Sequence, residues 1–233
     1  MKLAIMQPYF FPYIGYFQLM NAVDEFIIYD NIKYTKKGWI NRNRILVNGH
    51  DSIISLPLKK DSDFLDLKDR SLAVSWTKDK GKLLNQISEA YRKSPFFAEA
   101  FPIVEQCLNY KETNLFKFLH NSLFLVKTYL GIQTPITASS MIPVNHGLKA
   151  EYRVLAICKA RNATQYVNPI GGTELYSKTF FAEAGVPIFF LRSKELPYKQ
   201  FLHDFVPWLS IIDVMMFLPK YELPNILNSY SLE

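Results

Sequence analysis

Between Asp30 and Asp51 the chain carries no acidic residue but five basic ones, Lys33, Lys36, Lys37, Arg42 and Arg44. Arginine grips phosphate through paired hydrogen bonds and lysine acts as a point charge, so this stretch suits an anionic ligand. Trp39 adds an indole on which a base or sugar can stack, and Asn41 and Asn43 add amides able to read hydroxyl groups. A loop that only solvates needs neither. A second group of chemical interest is Asn168-Pro169-Ile170-Gly171-Gly172-Thr173, where Gly171 and Gly172 would let a backbone approach a ligand closely and Thr173 would cap a following helix. The third is Trp208 to Phe217, in which Ser210 is a fitting N-cap and Asp213 its capping-box partner. If Asp213 instead turns inward it must find a partner, and Lys36 or Arg42 would tie this tail to the basic stretch.

Other chemistries find little support. His50, His120, His146 and His203 show no ligand-like spacing, and Cys107 and Cys158 stand far apart without a second pair. No metal site is expected, and the two cysteines read as buried thiols. The first residues are too short an apolar stretch for a secretion signal, and no run approaches the ~18 apolar residues of a membrane span. The expectation is a cytoplasmic protein.

The elements that would position these residues alternate between strand and helix at both ends of the chain. Leu3 to Met6 reads as a buried strand, Gly15 to Val23 as a helix and Glu25 to Asp30 as a second strand, parallel to the first. Ligands of such sheets sit at the carboxyl ends of the strands. That places Gln7 and Tyr9, and also Asp30, at the candidate site. Ile53 to Leu58 reads as a strand, and helices run in pieces from about 77 to 131, broken at Pro95 and Pro102 and closed by Gly131. Beyond them come a helix over 149–162 with Tyr152, Leu155, Ala156 and Lys159 on one face, a strand over 164–167, a helix over 173–184 and a strand over 187–191. The fold class is mixed α/β: a mostly parallel, Rossmann-like sheet in one domain over 1–233, with a helical subdomain at about 77–131.

Composition agrees with a packed core: 49% of the 233 residues are hydrophobic and 15% aromatic, far from the low-hydrophobicity composition of disordered chains. The net charge of +6 is concentrated, because the remaining 22 basic and 21 acidic residues nearly cancel once the five of the basic stretch are set aside. One basic stretch on a near-neutral protein points to a local anionic ligand more than to a surface that coats nucleic acid.

Gln7-Pro-Tyr-Phe-Phe-Pro-Tyr-Ile-Gly-Tyr-Phe-Gln18, Lys36-Lys-Gly-Trp-Ile-Asn-Arg-Asn-Arg44, Tyr166-Val-Asn-Pro-Ile-Gly-Gly172 and Leu209-Ser-Ile-Ile-Asp213 together resemble the WbqC-like family. The resemblance covers nearly the whole chain and implies work in bacterial O-antigen or other surface-polysaccharide synthesis. More faintly, the first strand, helix and second strand are similar to the start of nucleotidylyltransferases, whose His-x-Gly-His signature is replaced here by Tyr13 and Tyr16 around Gly15. Tyrosine offers no imidazolium near neutral pH, so adenylyl transfer is not expected.

The reading that joins these features is an enzyme acting on a nucleotide-linked amino sugar, by acyl or aminoacyl transfer to the sugar amine. Lys36, Arg42 and Arg44 would hold phosphates, Tyr9 and Trp39 would stack, and Asn41, Asn43 and Asn168 would read hydroxyl groups. Gln7, Tyr13, Tyr16, Gly171 and Gly172 would complete the binding site, with Asp213 or Asp30 as the catalytic proton acceptor. The acyl donor would be an acyl carrier protein, coenzyme A or an aminoacyl-tRNA. The alternative is a module that binds RNA or a carrier protein, or a nucleotide-binding scaffold without catalysis. Neither sugar, donor nor oligomeric state is readable.

Overall fold

The computed structural model describes residues 1–36, 38–202 and 204–233. Lys37 of the basic stretch and His203 lie outside the described residues. Apolar runs give the central strands: β1 (Lys2–Met6), β2 (Glu25–Ile28), β6 (Gln165–Pro169) and β7 (Ile188–Ser193). With β5 (Ile136–Ala138) and β8 (Tyr230–Leu232) they form a six-stranded sheet in the order β5-β2-β1-β6-β7-β8, parallel throughout except for β8. Successive side chains of the central strands enter opposite cores, as the period of two requires. Ala4, Phe26, Ile28 and Val167 join one cluster, while Leu3, Ile5, Ile27 and Tyr166 join the other.

The first cluster is covered by α1 (Ile14–Asn21), α2 (Trp76–Tyr91), α3 (Phe97–Leu108), α4 (Leu115–Tyr129), α7 (Ile211–Phe217) and α8 (Leu223–Leu227). The second lies under α5 (Ala150–Ala160) and α6 (Lys178–Glu183). Helix α4 follows its sequence pattern closely: Asn114 caps it by accepting from the Lys117 N–H at 3.0 Å, and Gly131 leaves it at φ +77°.

Several expectations are corrected. Pro102 does not break a helix but sits inside α3, only five residues from its start, where one backbone hydrogen bond is forgone. Helix α5 buries Val154, Leu155, Ile157 and Cys158, whereas Tyr152 is largely exposed. That stripe removes four apolar side chains from water, which the alternative face with Lys159 cannot match.

The basic stretch is not all loop. Its second half is β3 (Arg42–Val47), paired antiparallel with β4 (His50–Ser55), which occupies 50–55 in place of the expected strand over 53–58. Asn48 and Gly49 form the two-residue turn at φ 50° and 82°, the left-handed pair that a type I′ hairpin demands. The expected helix over 173–184 also starts later. Ile170–Leu175 is a 3-10 segment, Tyr176 is extended, and Ser177 caps α6 by accepting from the Phe180 N–H at 3.2 Å. Thr173 therefore caps nothing.

Candidate functional site

From β1 the sheet extends one way to β2 and β5 and the other way to β6 and β7. At such a reversal the loops diverge and leave a crevice at the carboxyl ends of the strands. Two adjoining cavities occupy this edge. The larger, about 450 Å³, has aromatic walls of Tyr9, Tyr13, Trp39 and Trp208, with Arg44, Arg192 and Ser193 among its polar lining. The smaller, about 310 Å³, is lined by Gln7, Tyr29, Asn168, Gly171, Gly172 and Tyr176, and it shares Tyr9 with the first.

Three distant segments build the aromatic cleft, and backbone bonds hold them together. The Phe10 N–H donates to the Trp39 carbonyl at 3.2 Å, the Ser210 N–H to the Arg44 carbonyl at 2.8 Å and the Ile211 N–H to the Pro12 carbonyl at 2.9 Å. Asn43 Nδ2 donates to the carbonyls of Phe10 (3.0 Å) and Phe11 (2.8 Å), and Ser210 Oγ donates to Phe11 at 2.8 Å. Phe11 and Trp208 have φ of 42° and 59°, a left-handed conformation that bulky residues adopt only when their surroundings enforce it. A Cβ on Gly15 would lie 2.4 Å from the Tyr13 ring, so glycine there lets that ring cross the start of α1.

Hydrogen bonding separates polar groups used by the fold from those left for a ligand. Asn41 accepts from the Tyr34 hydroxyl (2.7 Å) and donates to Leu56 (2.8 Å), while Asn168 accepts from the Tyr166 hydroxyl (2.9 Å) and donates to Pro169 (3.0 Å). With Asn43 on Phe10 and Phe11, all three amides expected to read hydroxyl groups are engaged by the protein. Gly172 makes room for Asn168, since a Cβ there would lie 1.9 Å from its Nδ2, whereas a Cβ on Gly171 would meet open space. The glycine pair does not open a helix. Tyr16 is buried behind the site and donates to the Gln7 carbonyl at 3.1 Å.

The Gln7 carboxamide and the hydroxyls of Tyr9, Tyr13 and Tyr29 have no hydrogen-bond partner among the described residues. The same holds for two buried atoms of the aromatic cleft, Arg44 Nε and Ser193 Oγ. Burial raises the phenols of Tyr9, Tyr13, Tyr29 and Tyr176 above the ordinary tyrosine range, so each stays a hydrogen-bond donor at neutral pH.

The expectation of an uncompensated basic stretch is corrected, because acids from beyond its end fold onto it. Lys36 pairs with Asp63 at 2.8 Å and Arg44 with Asp51 at 3.2 Å. The Arg42 and Arg44 guanidinium groups each lie 5.6 Å from the centre of the Trp39 ring, and Arg42 Nε donates to the Gly38 carbonyl at 3.1 Å. Lys36, Asn41 and Arg42 line neither cavity. Arg192, at the end of β7, is held by both carboxylate oxygens of Glu233 at 2.5 and 3.2 Å.

Asp213 and Asp30 also lie away from both cavities. Asp213 does turn inward, but its partners are not Lys36 or Arg42. It accepts from Tyr91 (2.9 Å) at the end of α2 and from Tyr198 (2.6 Å) and Gln200 (2.6 Å) in the segment over 198–200. Burial pushes its carboxyl up to about 6, against the pull of those three donors. Ser210 caps α7 alone, accepting from the Ile212 N–H at 3.3 Å. Asp30 binds Ser139 Oγ and the Ser140 N–H, each at 2.9 Å, and also accepts from Ser140 Oγ.

Sequence reasoning missed Trp208, Arg192, Ser193, Tyr29 and Tyr176 as cavity residues. Arg192, Ser193 and Tyr29 each stand at the carboxyl end of an apolar run, so the rule that selected Gln7 applies to them too. Trp208 carried no such signal, since its place depends on the long-range bonds of Ser210.

The fold and site thus define a mixed α/β protein with a mostly parallel sheet and an aromatic, arginine-bearing cleft at its carboxyl edge. The chain belongs to the WbqC-like protein family, which matches residues 7–224. It is similar to the uncharacterized protein Rv1507c of Mycobacterium tuberculosis, with 32% identity over 231 residues and 97% of each chain covered. No solved structure matches it. Among the described residues no helix is long and apolar enough to cross a membrane.

Proposed function

We propose that the protein binds a nucleotide-activated amino sugar in the cytoplasm and serves bacterial surface-polysaccharide synthesis, transferring an acyl or aminoacyl group to the sugar amine. The carrying observation is the aromatic cleft, where four rings stand beside Arg44 and Arg192 at the carboxyl edge of the parallel sheet. Rings stack on a base, guanidinium groups hold a diphosphate, and a Rossmann-like sheet presents both at the reversal of strand order. Membership of the WbqC-like family supports the choice of pathway.

The reaction places modest demands on the protein. The amine nitrogen attacks the acyl carbon of a thioester or aminoacyl ester, a C–N bond forms, and the C–S or C–O bond breaks. The proton lost by nitrogen leaves with the thiol or hydroxyl group. Phenols, protonated at neutral pH, would donate to the oxyanion formed on the way, a role that fits Tyr9 and Tyr29. Asp213 and Asp30 have no part in this scheme, since neither lines either of these two cavities.

Calorimetric titration with nucleoside diphosphates and their sugar conjugates tests the reading. Binding in the micromolar range is expected, weakened about tenfold or more in Arg44→Ala and Trp39→Ala. No binding of any of them at millimolar concentration overturns it.

A further inference from the structure

We infer that the smaller cavity is a subsite for one uncharged sugar ring, an inference that rests on the nucleotide reading of the aromatic cleft. The two spaces meet at Tyr9, so a ligand stacked in the cleft continues into the smaller cavity past the same ring. Its volume of about 310 Å³ stands at the lower end of small-molecule sites. That suits a single ring.

The lining sets the chemistry. Among the described residues it contains no Lys, Arg, His, Asp or Glu. A charged substituent would leave water without a counter-ion, which is costly, so an amino group would enter as the neutral amine that attacks, and hydroxyl groups need only donors and acceptors. Gln7 supplies one of each kind, and Tyr9 and Tyr29 supply hydroxyls, all unengaged by the described protein. The rings of Tyr9, Tyr29 and Tyr176 offer apolar faces for the C–H side of a pyranose. Asn168 shapes the wall, its own bonds being satisfied within the protein.

Gly171 lines this cavity and not the aromatic cleft, and a side chain there starts in open space, so it gives a selective block. The experiment is titration of UDP, dTDP, UDP-glucose, dTDP-glucose and UDP-glucuronate against the full chain and the variants Gly171→Trp, Gln7→Ala and Tyr29→Phe. The glucose conjugate should bind about tenfold more tightly than its diphosphate. That gain should vanish in Gly171→Trp and shrink several-fold in Gln7→Ala and Tyr29→Phe, with diphosphate affinity held within about twofold. UDP-glucuronate should gain nothing over UDP. If the hexose adds nothing, if glucuronate gains as much as glucose, or if the gain survives all three variants, the subsite is overturned while the nucleotide reading stands. If neither diphosphate nor any conjugate binds, the nucleotide reading falls and the subsite with it.

Discussion

Asp213 is completely buried, and three donors surround a carboxyl whose pKa stands at about 6. An unfolded aspartate titrates near 4, so between those values the folded protein holds a proton that the unfolded chain has lost. The stability this proton confers is fully present below about pH 4 and is lost as pH rises through about 6, a change of ~3 kcal/mol. Urea unfolding at pH 4, 5, 6 and 7 should show wild type losing about that much relative to Asp213→Asn, which has no such proton to lose. Equal pH profiles would refute the assignment. The glycine pair gives a second contrast at this scale. Gly172→Ala drives a Cβ into Asn168 and should cost ~1–3 kcal/mol, while Gly171→Ala should change stability by less than ~0.5 kcal/mol. Sequence could mark Asp213 and both glycines as unusual, but not their cause, because Tyr91 and Tyr198 reach Asp213 only through the fold.

At the scale of elements, the terminal strand-helix-strand units were legible because their apolar runs are local. Strand β3 is equally local, but the charges of Arg42 and Arg44 mask the alternation that turns Asn43 and Ile45 inward and the hairpin signal of the Asn48-Gly49 turn. The cleft itself could not be read. Its walls come from segments around residues 10, 43 and 210, joined by Asn43 and Ser210. Asn43→Ala removes two donors from the buried carbonyls of Phe10 and Phe11 and releases the strained Phe11. A loss of ~2–4 kcal/mol is expected, together with weaker nucleotide binding. Loss of binding with no loss of stability would instead make Asn43 a direct ligand contact.

For the molecule as a whole, the net charge of +6 carries less information than its distribution. The chain suggested an unopposed patch of five cations, but folding pairs Lys36 with Asp63 and Arg44 with Asp51, and Glu233 at the far end of the chain takes Arg192. Such pairing is invisible to a count along the sequence. It leaves one guanidinium of the basic stretch, Arg44, and one from β7, Arg192, each oriented by an acid at a single cleft. A polyanion would have to compete with such acids over a long track, whereas a diphosphate would compete only with Asp51 and Glu233 for Arg44 and Arg192. Salt separates the two cases. Single-stranded nucleic acid neutralised by five cations gives a slope of log affinity against log salt of about −3.5, while a ligand with two phosphates should stay shallower than about −2. Titrating UDP-glucose and an oligouridylate between 50 and 300 mM potassium chloride is expected to give the shallow slope for the first and negligible affinity for the second near physiological salt. A steep slope with micromolar oligonucleotide affinity would move the anion site out of the cleft and onto the surface.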